Sequence, residues 1–268
     1  MDLNALPPPM PEVPWLNGIG LRTLIRKEVR RFLKVWKQTI FGPLVTTALY
    51  FLVFGVALGA RLQTVDGIPY IDYVVPGLIM LAMINNAFMN TSSSVFQSKI
   101  NGTLPDLLAA PLGTAEILTA FVTAAVLRAT IVGVLVYATA AMFTGWQLHS
   151  WAWTLYFSLV VSAAFALLGL LAAIWAEKFD QLSIIPIFVL TPLTFLGGVF
   201  YSTEMLPSPW REISLFNPVL YTVNGLRYGL LGHSDVPIAL AALALGLVTA
   251  VLALLAGWVL ARGFRLRH

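Results

Sequence analysis

The sequence predicts an all-α integral membrane protein with six transmembrane helices. An amphipathic interfacial helix precedes the first span, a short cytosolic helix lies in the first internal loop, and extracellular re-entrant helices lie between spans 5 and 6. Three observations predict this class. Hydrophobic residues make up 59% of the chain and charged residues only 10%, against about 45–50% and about 25% in soluble domains. The mean hydropathy of +0.84 extends over the whole length rather than one stretch. Long intervals free of Asp, Glu, Lys and Arg recur, each able to supply the ~20 apolar residues of one crossing. The absence of cysteine excludes disulfide frameworks, thiol catalysis, iron–sulfur clusters and cysteine zinc sites. The net charge of +4 reads as membrane topology rather than as a nucleic-acid footprint, because of where the basic residues sit.

In chain order, residues 1–16 form a proline-rich cytosolic lead carrying Asp2 and Glu12. A cleaved signal would have basic residues and an apolar core there, so none is expected. Over 17–37, Leu21, Ile25, Val29, Phe32 and Trp36 recur at helical spacing with basic residues between them. This pattern predicts an amphipathic helix in the cytoplasmic interface, its stripe in the acyl boundary and its cations at head groups. The other reading open here is a soluble helix packed on a partner.

The transmembrane domain is 38–261. Residues 38–60 make span 1, with a GxxxG at Gly55 and Gly59 that marks close packing or a dimer seam. Residues 73–98 make span 2. Residues 117–176 contain a single charge, Arg128, and are too long for one helix. The polar turn with Trp146 and Trp151 divides them into spans 117–143 and 152–175. Span 5 is 181–201 and span 6 is 238–260, followed by the cytosolic tail 262–268. Between Tyr201 and Pro237 a 14-residue apolar run, Ile213 to Leu226, is set among Glu204, Pro207, Pro209, Arg211, Glu212, Pro218, Arg227 and Asp235. It is too short to cross and predicts re-entrant or interfacial helices forming an external lid. In the first internal loop, Leu104 to Ala110 reads as a short amphipathic helix closed by Pro111, a docking element or a tight loop on the membrane surface.

The positive-inside rule orients the spans. Arg22, Arg26, Lys27, Arg30, Arg31, Lys34 and Lys37 precede span 1, Arg262, Arg265 and Arg267 follow span 6, and Lys99 and Lys178 lie in the internal loops. The external connections hold Arg61, Arg211 and Arg227. Both termini are therefore expected in the cytoplasm.

No phosphate-binding loop of the G-x-x-x-x-G-K-[ST] type occurs, so ATP, if used, is handled by another polypeptide. His149, His233 and His268 are scattered without metal-ligand spacing, and Ser92, Ser93 and Ser94 lack a nucleophile-elbow context. Asn86, Asn90, Ser93 and Gln97 fall on one face of span 2, either as polar glue between helices or as the wall of a hydrated path. Arg128, a dozen residues into span 3, faces protein or water. It either meets substrate or pairs with a carboxylate such as Glu116 or Glu177.

Four segments carry a family resemblance: GTLPDLLAAPLGTAEIL from Gly102, FNPVLYTVNGLRYGLLG from Phe216, KVWKQTIFGPLVTTALYFLVFG from Lys34 with VPGLIM from Val75, and GGVFYSTEMLP from Gly197. Together they resemble ABC-2 type exporter permeases, in the branch of the nodulation lipo-oligosaccharide and daunorubicin-type drug exporters. The resemblance covers Leu21 to Arg262. It implies a non-catalytic transmembrane subunit that binds no cofactor itself, with ATP and magnesium on two separate ATPase subunits and a second copy of the permease completing a dimer in a bacterial inner membrane. It places the ATPase-coupling helix at Gly102, Thr103, Leu104, Asp106, Leu107, Leu108 and Pro111, although the family's acidic residue after G-T-L is here Pro105 followed by Asp106. It places the lid signature at Asn217, Pro218, Tyr221 and Arg227, beside Glu204. The expected function is outward movement of an amphiphile such as a lipid-linked saccharide, lipid or hydrophobic drug, with Asn86, Asn90, Ser93, Gln97 and Arg128 along the path. The alternatives are an ATP-independent secondary transporter or channel, which would show inverted repeats or intramembrane acids, and a lipid-modifying membrane enzyme, which would cluster His or Asp at one interface.

Overall fold

Apolar helices dominate the computed structural model, which describes residues 17–53, 64–65 and 67–263. The lead, the GxxxG pair, Arg61 and the last residues of the tail lie outside these. Helix α1 is Gly18–Lys34 and α2 is Trp36–Tyr50, extended by a π turn to Val53. A two-residue antiparallel ribbon, β1 (Thr64–Val65) against β2 (Ile68–Pro69), leads into α3 (Tyr70–Ile100). The short α4 (Leu104–Ala109) connects to α5 (Thr114–Thr144), and α6 (Trp151–Trp175) follows. Next, α7 (Phe179–Ile185) runs through a π segment, Pro186–Leu190, into α8 (Thr191–Phe195). Beyond these come α9 (Trp210–Leu215), α10 (Pro218–Leu231) and α11 (Ile238–Arg262).

The chain is an all-α integral membrane protein. Helices α3, α5, α6 and α11 are each long and apolar enough to cross a bilayer, and Phe41–Val53 and Phe179–Phe195 are shorter apolar helices. The expected span 181–201 differs most from the structure. Its helical part ends at Phe195, and Pro186 and Pro192 sit inside it. A prolyl nitrogen has no hydrogen to donate, so the ladder widens to π geometry at the first proline. The run Ile213 to Leu226 is likewise not one helix. Pro218 starts α10, and Asn217 at its cap separates it from α9.

Helix α3 is central, packed against both α5 and α6 along its length, whereas α11 is peripheral and shows most of its surface outward. Hydrocarbon provides no hydrophobic drive between helices, so association depends on close packing, and small residues permit it. The buried faces accordingly carry Ala87 on α3, Ala120, Ala124 and Ala129 on α5, and Ala164, Ala166 and Ala173 on α6. The tightest approach to another backbone is at Gly169, where a Cβ would lie 2.4 Å from the Phe88 carbonyl oxygen of α3. A backbone atom cannot move aside as a flexible side chain can. Gly169→Ala is therefore expected to force α3 and α6 apart and cost about 1–3 kcal/mol. A lowered thermal midpoint in detergent would register this, and an unchanged midpoint would contradict the packing argument.

Candidate coupling and translocation sites

At one end of the bundle, α3, α4, α5, α6 and α1 converge. Gly102, with φ of +68°, turns the chain out of α3 in a conformation that side chains resist, and Thr103 leads into α4. Pro105 stands in the first turn, where its missing donor costs nothing. The helix runs Leu104–Ala109 with Ala110 as its cap, one residue shorter than expected, and Pro111 follows it exposed. Leu104 is buried and Leu107 and Leu108 are half-buried against the core, so Pro105, Asp106 and Ala109 form the outward face.

Helix α1 is tied to the same end. The Asn17 side chain accepts from the Gly20 amide at 2.9 Å and donates to the Pro111 carbonyl at 3.0 Å, while the Asn17 amide donates to Glu116. Glu116 also accepts from the Gly113 amide at 2.7 Å, capping α5. It is thus spent on helix termini rather than on Arg128. Lys99 donates to the Ile174 and Ala176 carbonyls at 3.1 and 2.9 Å, placing a cation at the C-terminal end of α6.

The face that α1 buries was only partly expected. Leu24, Glu28 and Phe32, four residues apart, are its buried positions. Leu21 and Ile25 pack on the protein core, and α1 lies against α5. The expected stripe thus meets protein rather than the acyl boundary along much of its length, while Arg22, Arg26, Lys27, Arg30, Lys34 and Lys37 are exposed. Glu28 is 1% exposed, accepts from Ser94 of α3 at 2.6 Å and pairs with Arg31 at 3.0 Å. Arg31 then reaches the Asn90 carbonyl at 2.7 Å, the Asn90 side-chain oxygen at 3.1 Å and the Ser93 hydroxyl at 3.4 Å.

Of the four polar residues on span 2, then, Asn90 and Ser93 are engaged by Arg31. Gln97 is exposed near the end of α3 and Asn86 is buried. Asn86 accepts from Arg128 Nε at 3.2 Å, so the partner of the half-buried Arg128 is an amide rather than the carboxylates expected. Asn86 also lines a cavity of about 300 Å³ between α2, α3 and α8, together with Thr46, Thr47, Tyr50, Asn85 and Thr194. These hydroxyls and Asn85 were missed in the sequence. The available signal was Thr46, Thr47 and Tyr50, which share a face at helical spacing within span 1.

At the other end, Arg227 is wholly buried rather than a solvent-facing charge of an external loop. It donates to the Gly198 carbonyl at 2.7 Å and to Asn224 at 3.4 Å, and its guanidinium carbon lies 3.8 Å from the centroid of the Tyr73 ring. The Asn224 side-chain oxygen accepts from the Asp235 amide at 2.8 Å, and Asp235 accepts from the Thr203 amide at 2.9 Å. Asn217 caps α10 through the Val219 amide at 3.0 Å and donates to the Leu193 carbonyl at 2.6 Å. Pro218 opens that helix, and Tyr221 donates to the Leu215 carbonyl at 2.7 Å. Glu204 is exposed in the turn Thr203–Met205.

The α1–α3 lock is open to a direct test. Arg31→Met strands the Glu28 charge and is expected to cost about 2–3 kcal/mol, since Arg31 keeps partial exposure, while adding Glu28→Gln should recover most of the loss. Unfolding midpoints of the two single variants and the double variant give the coupling; additive losses would contradict it.

Residues 20–231 match the family of ABC-2 type transporters. The chain is 42% identical over 223 residues to the inner membrane transport permease YadH of Escherichia coli K12, covering 83% of this chain and 87% of that protein. It is 27% identical over 227 residues to nodulation protein J of Rhizobium leguminosarum bv. viciae, covering 82% and 85%. To nodulation protein J of Rhizobium meliloti 1021 it is 23% identical over 225 residues, covering 84% and 86%. With the match spanning most of the helical bundle, the chain belongs to the ABC-2 type transporter family.

Proposed function

We propose that this chain is the permease subunit of an ATP-binding cassette exporter. In this reading it moves an amphiphile outward through a path completed by a second copy, and separate ATPase subunits holding ATP and magnesium drive it. The observation that carries the reading is α4. It is a short rigid helix joined at both ends to the longest bundle helices, anchored by Leu104, and presents Pro105, Asp106 and Ala109 outward. A permease without a nucleotide loop needs such an element, because work is transferred only through a contact that differs between the ATPase's states. Family membership and the permease named in E. coli support the transport role.

Six crossings follow if Phe41–Val53 and Phe179–Phe195 traverse the membrane with the four long helices. Both termini then lie in the cytoplasm of a bacterial cell with α1 and α4, α9 and α10 dip in from outside, and the basic residues of α1 and Arg262 follow the positive-inside rule. The cavity between α2, α3 and α8 suits an amphiphile. Its hydroxyl and amide lining can meet a polar uncharged head, while Leu78 and Phe195 offer apolar surface. Arg128 stands behind Asn86 and lends it a positive field.

Two outcomes test this. The tagged chain, purified in mild detergent, should recover a soluble ATPase with vanadate-sensitive hydrolysis; Asp106→Lys with Ala109→Arg should abolish that recovery without lowering the thermal midpoint. Recovery of the chain alone would instead favour an ATP-independent transporter. Leu107 and Leu108 are poorer probes, because their replacement also disturbs packing. Arg128→Ala should reduce export of anionic amphiphiles more than of neutral ones, and equal losses would assign Arg128 to folding.

A further inference from the structure

A second cavity, of about 430 Å³ and with a different lining, is walled by α3, α5, α6 and α10. Buried Met83 and Leu226 line it with the half-buried Tyr137, Val134 lies on its open side, and Trp146 and Trp151 stand at its mouth. These two tryptophans are 74% and 79% exposed, the placement of indoles at a membrane interface. From Thr144, at the end of α5, down to Thr130 on the cavity wall is about 21 Å at 1.5 Å per residue. The crevice therefore begins at the interface and ends near the bilayer midplane, since a bilayer of about 40–45 Å including its head-group regions gives each leaflet about 20–22 Å.

We propose that this crevice seats one aliphatic chain of a bilayer phospholipid. The wall is mostly apolar, and of its polar groups the Thr130 hydroxyl is buried without a hydrogen-bond partner while two others are satisfied within the protein. The Tyr137 hydroxyl is bonded to the Gln147 carbonyl at 2.6 Å, and the Thr154 hydroxyl to the Ser150 carbonyl at 2.9 Å. Left empty, the apolar lining would lose its dispersion contacts on one side, and a dry pocket of this kind takes apolar occupants. The loop at the mouth, residues 145–150, holds Trp146, Gln147, Leu148 and His149 but no Lys or Arg. With Gln147 donating to Asp72 at 3.2 Å and no cation in that loop, the site selects a chain and has nothing to single out an anionic head group. The chain braces α10 through Leu226 and Leu230, one residue before and three after buried Arg227. The inference needs only the membrane embedding of the bundle and is independent of the transport reading.

The experiment reconstitutes the full chain in phosphatidylcholine vesicles containing a phosphatidylcholine with a diazirine along one acyl chain. Unlabelled lipid is then added as a chase, the sample is irradiated, and adducts are mapped by mass spectrometry. Adducts on Met83, Tyr137 and Leu226 should outlast the chase severalfold over those on Leu243 and Leu247, which are exposed on α11 and report lipid in free exchange. Thr130→Leu with Ser158→Leu, which fills the crevice, should lower its labelling severalfold and leave α11 unchanged, and exchanging phosphatidylglycerol for phosphatidylcholine should not alter the ratio. Parallel loss of label at both places overturns the proposal. So does an unlabelled crevice, as a second copy seated over it would produce, and so does retention confined to the anionic lipid. Should the filled variant not fold, the chase comparison in the unaltered chain decides alone.

Discussion

Hydrocarbon accepts and donates no hydrogen bonds, and the interior of this bundle is arranged around that constraint. Arg31, Arg128 and Arg227 each meet an asparagine side-chain oxygen: Asn90, Asn86 and Asn224 in turn. Arg31 and Arg227 also take a backbone carbonyl at 2.7 Å. An amide oxygen carries no net charge to desolvate, so it can be placed inside a helical bundle more cheaply than a carboxylate, and it still orients a guanidinium. The one buried carboxylate in these contacts, Glu28, is compensated by Arg31 and Ser94. Two of the three asparagines, Asn86 and Asn90, stand one turn apart on α3, which is why that helix is central both to the packing and to the polar interior.

The same economy governs the helix ends. Glu116 serves the start of α5 and the entry to α1 together, Lys99 serves the end of α6, and Asn217 serves the start of α10. Each of these side chains belongs to, or reaches, a different element from the one it satisfies or adjoins. The terminal groups that a lone helix leaves open therefore become the joints of the assembly.

Composition and charge gaps made the membrane class and the four long helices legible, because these signals are carried by many residues at once. The broken fifth segment was less legible. Charge-free length registers neither the ladder bonds lost at Pro186 and Pro192 nor the turn through Gly198, at φ of +71°, that follows the helix end at Phe195. The face of α1 was misjudged by about one position. A pattern drawn through Leu21, Ile25 and Val29 passes beside Glu28, and an acid is ordinarily assigned to the wet side. Its burial depends on Arg31 and Ser94, one of them 66 residues away in sequence, and no local pattern contains that partner. The polar residues of span 2 were found as a stripe, but their division between Arg31, Arg128 and the cavity is a property of neighbouring helices. Arg227 was read as a loop charge for the same reason: its acceptor at Gly198 is 29 residues upstream.

The tether of α1 has a consequence for biogenesis. Helix α1 leaves the ribosome before α3 and α5, yet the groups that hold it are made much later: Asn90 lies 59 residues beyond Arg31, Pro111 lies 94 beyond Asn17, and Glu116 lies 99 beyond it. Until α3 and α5 have entered the bilayer, Glu28 has no interior to occupy, and α1 waits at the membrane surface with its acid hydrated and its basic residues facing water. A helix synthesised before α3 and α5 is thus placed after them, and its docking closes the chain back on itself once those two are in position.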